Sequence, residues 1–337
     1  MDGKKKNMKK ILVTGAAGFI GSALCNRLAL NNKIIGVDVV GSKDKALDIV
    51  FEQIDISDSN LVIAICEKYS PEVVIHCAGI AHQKFGAVDL DTYKRVNSEA
   101  TENLAKVATK YNSKVQFIFL SSVSVYGEEN LNMPVSEDSV CCPSGDYAVS
   151  KLDAEKRLVT LVYEGILHNL IILRLAAVYD RDWSFNLDRR VFTPKKITYL
   201  RFGKGTQKIS ALARPNLVDF ISHIIQNMGK KTQASGVNAD EKRQNLQILN
   251  VCDANAYEFN AIIEIFRKSG IYPKRPIISV PVFFVWILTR IASILFFHKR
   301  EWIRSCYDKL ASDLIFDNQK MIKTRFQPKH SLSTVFY

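Results

Sequence analysis

Residues 11–24 read ILVTGAAGFIGSAL. The run opens on apolar and β-branched side chains that suit a strand covered on both faces. It then passes through Gly15, Gly18 and Gly21 into an apolar helical stretch. At such spacing the first glycine permits a tight turn. The second lets the backbone approach a pyrophosphate, and the third lets helix and strand pack closely. A helix starting there presents N–H groups and the positive end of its dipole to phosphates. Three glycines alone are a weak signal, and their position between a strand and a helix is what gives them weight. Ala17, Phe19 and Ile20 share the loop. Asp38 ends the next expected strand, 17 residues after Gly21. A carboxylate there accepts hydrogen bonds from both ribose hydroxyls and repels a 2′-phosphate, so NAD is expected rather than NADP.

Outward from this loop, short β-branched runs alternate with helical stretches. Strands are expected at 10–14, 33–38, 49–55, 73–77, 115–121 and 170–175, and helices at 20–30, 61–69, 89–111 and 147–164. Strict alternation implies right-handed crossovers and an α/β class, a Rossmann doubly wound parallel sheet. After residue 178 the pattern changes. Residues 181–214 read as loop-rich, basic and aromatic, 216–228 as a helix, 229–244 as a polar loop, 246–251 as a strand, and 257–269 and 281–297 as helices. The expected division is a dinucleotide-binding domain over 8–178 with a return segment 214–252, and a smaller C-terminal substrate domain from 179–213 and 253–330.

The 337 residues suffice for one large and one smaller domain, and 47% apolar with 24% charged residues is ordinary for a globular chain. Net charge is +12, of which the first ten residues supply +4. Such a balance suits an anionic small molecule or a membrane surface. Zinc-finger spacings and continuous basic helices are lacking, which argues against nucleic acid. Seven cysteines without a CxxC pair, and no apolar segment before Ile11, point to reduced thiols in a cytoplasm. Cys25, Cys66 and Cys77 fall in stretches expected to be buried, and nothing around Cys141-Cys142 marks a low-pKa thiol. The longest apolar stretch, 277–297, is interrupted by Pro281 and Arg290. A charge at bilayer depth costs about 2.5–3.5 kcal/mol, so a buried or amphipathic helix is expected rather than a span. His298, Lys299, Arg300, Trp302 and Arg304 follow it, which keeps peripheral membrane contact open as an alternative.

Two further segments carry chemistry. FLSSVSVYG ends the strand beginning near Val115, and DYAVSK opens the next helix. Tyr147 and Lys151, four apart, share a helix face. A nearby ammonium favours a phenolate, so Tyr147 is expected to exchange a proton with a sugar hydroxyl as hydride moves to or from nicotinamide. Ser122 or Ser124 is placed to hold the same hydroxyl.

With TGAAGFIG, Asp38, Asp55-Ile56, His76-Cys77-Ala78-Gly79, Asn97, SSVSVYG and Tyr147…Lys151, the chain resembles the extended short-chain dehydrogenase/reductases, the nucleotide-sugar epimerase/dehydratase family. NLVDF (216–220), LIFDNQKM and PKHSL resemble its later segments. The resemblance implies that Asp55-Ile56 flanks the adenine, that Cys77, Ala78 and Gly79 line the cofactor, and that Asn97 supports the active site. Tyr147 and Lys151 also touch the cofactor, and Ser122 orients substrate with Ser124 nearby. It further implies a nucleotide-sugar substrate, a setting in surface polysaccharide synthesis, and a homodimer through the two long helices. Dehydratases of the family carry an Asp-Glu pair where this chain has Val123-Ser124, which argues against 4,6-dehydration. The usual asparagine after the sixth strand is replaced in Ala177-Val178-Tyr179-Asp180-Arg181. Arg201, Lys204, Lys208 and Arg214 fall where such enzymes clamp a diphosphate, with Lys208 and Arg214 the chosen substrate-binding candidates. No metal site is expected. The leading expectation is a UDP-sugar 4-epimerase. Alternatives are a 4-keto nucleotide-sugar reductase, a sterol or lipid-alcohol dehydrogenase, and a non-catalytic NAD-binding protein.

Overall fold

The computed structural model describes residues 8–41, 49–81, 88–127, 133–228, 246–296 and 312–337. The basic tail at 4–6, the polar loop at 229–244 and the basic segment at 298–304 lie partly or wholly outside the described residues.

Seven strands form one sheet in the order β11-β6-β5-β4-β1-β2-β3. These are β1 (Lys10–Thr14), β2 (Lys33–Asp38), β3 (Ile49–Gln53), β4 (Val73–His76), β5 (Gln116–Ser122), β6 (Asn169–Leu175) and β11 (Leu246–Val251). The chain builds outward from β1 through β2 to β3, then returns to β1's other side with β4, β5 and β6. The β1–β2, β2–β3, β1–β4 and β4–β5 pairs are parallel. The reversal puts the topological switch point between β1 and β4, where open α/β sheets bind ligands beyond their strand ends. Helices α1 (Phe19–Leu28), α2 (Ser59–Tyr69), α4 (Ala100–Tyr111) and α5 (Asp146–Tyr163) supply the crossovers. As expected of covered parallel strands, β1 and β4 are buried along nearly their whole length.

Contacts divide the chain into two compact units. One comprises Met1–Val125, Pro143–Arg174 and Ile221–Leu249; the other comprises Tyr126–Cys142, Leu175–Phe220 and Asn250–Tyr337. The first unit's core joins Leu12, Ile35, Val74, Phe117, Leu104 and Leu158. Inside it lies a buried ion pair. Arg174 on β6 donates to both Glu155 carboxylate oxygens, at 3.2 Å from Nε and 2.7 Å from Nη2, and Ser121 donates to the same carboxylate at 2.5 Å.

Four expectations need correction. The helix expected over 89–111 is α3 (Leu90–Lys94), a π-helical turn (Arg95–Glu99) and α4. The widened turn brings Asn97 inward, where it is fully buried. Residues 181–214 are not mainly loop: they hold α6 (Phe185–Val191), β8 (Tyr199–Phe202), β9 (Lys208–Ile209) and β10 (Ala211–Ala213). Each of these strands pairs with a segment distant in sequence: β8 with β13 (Ile277–Val280), β9 with β12 (Tyr257–Glu258), and β10 with β7 (Ala177–Tyr179). The helix expected over 216–228 is α7 (Arg214–Asn227), and the helix expected from 257 begins only at α8 (Phe259–Lys268), after β12. The apolar stretch 277–297 divides at Pro281 into β13 and α9 (Val282–Leu295), and α9 is largely exposed, not buried.

The second unit packs around aromatic rings, among them Tyr179, Phe192, Tyr199, Phe266, Tyr272 and Phe336. Asp253 is buried beside this core and accepts from Tyr179 (2.7 Å), Tyr257 (2.8 Å), Asn216 (2.7 Å) and the Ala213 N–H (2.8 Å). Four donors compensate for taking the carboxyl out of water.

Removing one partner of a buried ion pair strands the other's charge, which typically costs about 3–5 kcal/mol. Arg174→Met is expected to lower unfolding stability by that order in urea titrations, and Arg174→Met with Glu155→Leu to recover most of it. A single variant as stable as the parent would contradict this account.

Candidate active site

The glycine turn sits at the switch point. Gly15 adopts φ +68°, and a Cβ there would lie 2.8 Å from the Ala78 backbone nitrogen. A Cβ on Gly21 would lie 2.0 Å from the Gly15 carbonyl oxygen. Neither position admits another residue without moving backbone. Gly18 precedes α1, offers no side-chain cap, and the first turn carries no acidic residue. The loop residues Ala17 and Gly18 are exposed, and Phe19 and Ile20 are half-buried in the first helical turn. This is an uncapped helix N-terminus of the kind that receives phosphates. Asp38, at the end of β2, accepts from the Ala17 N–H at 3.0 Å and from the Val40 N–H at 3.2 Å, so its carboxylate stands at the rim of the loop. Asp55 follows β3 and accepts from the Ser57 N–H at 2.8 Å, while Ile56 beside it is buried in the core.

Beyond β4, Cys77, Ala78 and Gly79 run alongside the glycine turn. Burial pushes the Cys77 thiol well above its ordinary value, so it stays protonated. Gly79 is pressed against two other candidates: a Cβ there would lie 2.9 Å from Asn97 Oδ1 and 3.5 Å from Lys151 Nζ. Asn97 accepts from the Ile80 N–H at 2.7 Å and donates to the Ile80 carbonyl at 3.1 Å and to Ser150 Oγ at 3.0 Å.

Sequence reasoning named His76 only as part of a motif. The structure gives it a defined place. Ala78 N–H donates to Thr14 Oγ1 (3.2 Å), and Thr14 Oγ1 lies 2.6 Å from His76 Nδ1. His76 Nε2 lies 2.7 Å from Thr101 Oγ1, which donates to the Asn97 carbonyl at 2.8 Å. Because Thr101's proton goes to Asn97, its oxygen accepts from Nε2–H, and Nδ1 accepts from Thr14. Burial, helped by the Lys151 charge, holds the imidazole down to about 3, so it is neutral. This chain of donors ties the glycine-loop strand to the π turn. The motif's histidine was visible in the sequence, but its partners at 14 and 101 were not.

The catalytic candidates converge in the same unit. Ser124 donates its hydroxyl (2.9 Å) and its N–H (3.2 Å) to Ser122 Oγ. The Ser122 side chain hydrogen-bonds Tyr147 and favours its phenolate. Burial outweighs this and pushes the Tyr147 hydroxyl up to about 12, with Tyr93 adding to the rise. Lys151 donates to the Leu120 carbonyl at 3.0 Å and lies 4.7 Å from the Phe119 ring centroid. Burial lowers its ammonium to about 8, against smaller opposing effects of Cys77 and Glu155. The Tyr147 shift is thus upward, opposite in direction to the lowering expected from Lys151.

The substrate candidates lie in the second unit. Arg214 ion-pairs with Asp180 at 2.5 Å, and Arg201 donates to Ser279 Oγ at 2.6 Å. Lys208 sits on β9 with an exposed side chain, and Lys204 is exposed. Among the described residues no cluster of His, Cys, Asp and Glu could hold a metal ion.

Residues 11–239 match the model of the NAD dependent epimerase/dehydratase family. The chain belongs to that family. It is an enzyme of the extended short-chain dehydrogenase/reductase type, and the glycine cradle with Asp38 at its rim fits the family's NAD. The chain is 36% identical over 226 residues to a UDP-glucose 4-epimerase from Vibrio cholerae, a match spanning 65% of this chain and 67% of that one. It is 32% identical over 164 residues to a dTDP-glucose 4,6-dehydratase from Haemophilus influenzae, covering 43% of this chain and 48% of the relative. In structure it superimposes on the UDP-glucose 4-epimerase of Thermotoga maritima, solved with UDP-glucose. The TM-score is 0.70 at 22% identity, covering 97% and 96% of the two chains.

Two outcomes follow. Asp38→Asn removes the charge that would repel a 2′-phosphate, so the preference for NAD over NADP should narrow about tenfold or more in titrations of both nucleotides; an unchanged ratio would remove Asp38 from the ribose site. Lys151 titrates near 8 in the fold and at the ordinary 10.5 when unfolded. Below pH 8 both states are protonated, and between 8 and 10.5 only the unfolded state keeps the proton. Stability without nucleotide should therefore rise with pH across that window, and Lys151→Met should abolish the rise.

Proposed function

We propose that this enzyme is a nucleotide-sugar 4-epimerase acting on a UDP-sugar through transient oxidation of the sugar C4 hydroxyl. The observation that carries the reading is the Ser124–Ser122–Tyr147 hydrogen-bond chain beside the buried Lys151, in a member of an NAD-dependent family. Bound NAD supplies a hydride acceptor and donor. Ser122 orients the hydroxyl, with its own oxygen held by Ser124. Tyr147 takes the hydroxyl proton on oxidation and returns it on reduction. Lys151, fixed by the Leu120 carbonyl, places a positive charge in this enclosed region, where a charge acts more strongly than in water. Val123-Ser124 stands where a dehydratase needs an acid pair, so elimination of water lacks its proton donor.

A second reading is a reductase of a 4-keto nucleotide sugar that exchanges its cofactor, in which Tyr147, its hydroxyl held above the ordinary value by burial, donates the proton. Retained cofactor separates the two. Protein purified and then denatured is expected to release stoichiometric NAD and, intact, to interconvert UDP-glucose and UDP-galactose without added NADH. Turnover of a 4-keto sugar that requires added NADH would replace the epimerase by the reductase. Tyr147→Phe should lower turnover by about 10²–10⁴-fold with NAD binding kept; a fully active variant would overturn the mechanism in either case.

The same reading takes Lys208 and Arg214 as contacts to the substrate diphosphate, and a homodimer formed through α4 and α5. Free thiols at Cys25, Cys66, Cys77, Cys141, Cys142 and Cys252 favour a cytoplasmic setting.

A further inference from the structure

Helix α9 is built inside out. Its side chains at Val282, Val285, Ile287, Thr289 and Ala292 are half-buried, and of the whole helix only Ser293 is buried. The opposite face carries Phe283, Phe284, Leu288, Ile291, Ile294 and Leu295, which are 64, 57, 64, 49, 78 and 71% exposed. The buried position is thus a serine, the half-buried ones are Val, Thr, Ala and a single Ile, and the Phe and Leu side chains with two Ile face solvent. A soluble helix does the reverse, and a contiguous apolar face of this kind marks a surface that something else covers.

We propose that this face docks on an anionic lipid bilayer, with α9 lying in the interfacial plane. Charge identifies the occupant. From Ser269 to Arg300 the chain has five Lys or Arg residues and no Asp or Glu. Lys274 and Arg275, just ahead of β13, are exposed. The Arg290 guanidinium lies 5.3 Å from the Trp286 ring centroid, so its charge is drawn to one edge of the helix and away from the apolar face. An apolar face carrying Phe, Leu and Ile, with Trp286 and Arg290 at its edge, is the composition of helices that settle at a headgroup–acyl boundary. A second copy of this chain seated face to face would bring the same cations and no carboxylate from this stretch to meet them. Anionic headgroups supply the missing charge. At 14 residues the helix is about 21 Å long, short of the roughly 30 Å hydrocarbon core. Among the described residues, no helix is long and apolar enough to cross a membrane. The geometry therefore places α9 on a bilayer surface, not through it. The inference is independent of which sugar the enzyme handles.

The test is co-sedimentation of the full-length protein with vesicles of phosphatidylcholine, with and without phosphatidylglycerol, alongside light scattering of the lipid-free protein. Binding is expected to vesicles containing phosphatidylglycerol, to weaken as ionic strength rises, and to shift Trp fluorescence to the blue. Leu288→Glu with Ile291→Glu should lower partitioning by at least about tenfold, a change of about 1.4 kcal/mol, while retained NAD and turnover stay as in the parent. Should that pair disturb folding, Lys274→Glu with Arg275→Glu, outside any helix, should remove the preference for anionic vesicles. Failure to bind either vesicle would overturn the proposal. So would equal, salt-insensitive binding to both. Concentration-dependent self-association abolished by Leu288→Glu, without vesicle binding, would assign the face to a second copy of the chain and also overturn it.

Discussion

The site depends on backbone meeting backbone at the end of β1. Gly15 lies against the Ala78 peptide and Gly21 against the Gly15 carbonyl, at separations where any Cβ would overlap main-chain atoms. That approach lets α1 start directly above the strand, aims its uncapped N-terminus along the switch point, and leaves Asp38 within reach of the Ala17 N–H. It also brings β4's exit, Cys77 to Gly79, alongside the loop. A second contact of the same kind follows, because Gly79 has no side chain to hold Asn97 and Lys151 away. Cofactor loop and catalytic helix are therefore linked through two glycines rather than through a long chain of side-chain packing.

Around that frame the first unit places charge where burial opposes it. Lys151 is 5% exposed, and its ammonium is held by one carbonyl and an aromatic face. One helical turn on, Glu155 is also buried and is satisfied by Arg174 and Ser121. Ser121 and Ser122 are neighbours on β5, yet one serves the buried ion pair and the other the tyrosine. Alternation along a strand makes this division possible, since successive side chains leave on opposite faces. His76 contributes by being neutral: a directed series of hydrogen bonds from Ala78 to Asn97 passes through it without adding another positive charge beside Lys151.

The second unit follows a different economy of contacts. Its short strands pair across long sequence separations, and a single carboxyl, Asp253, collects two tyrosine hydroxyls, an asparagine amide and a backbone N–H. Apolar residues are abundant enough to build its aromatic core and still leave the outer face of α9 uncovered. Arg214, a substrate-binding candidate from the sequence, is paired with Asp180.

The sequence by itself determined the first unit's class, the order of its strands and helices, and the identity of the cofactor loop. Those features rest on local rules: period-two and period-3.6 patterning, and glycines that no other residue can replace. It placed Tyr147 and Lys151 on one helix face for the same reason. Only the tertiary structure decided the π turn that turns Asn97 inward, because one extra residue per turn leaves no mark on composition. Only it revealed the Thr14–His76–Thr101 connection, whose members are up to 87 positions apart, and the upward push that burial gives the Tyr147 hydroxyl. The apolar run at 277–297 marks the boundary most sharply. Hydrophobicity in the sequence says that such a stretch avoids water, but whether neighbours in the fold cover it depends on which side chains face inward, and here the one buried is Ser293, while Phe283, Phe284, Leu288, Ile294 and Leu295 stay exposed.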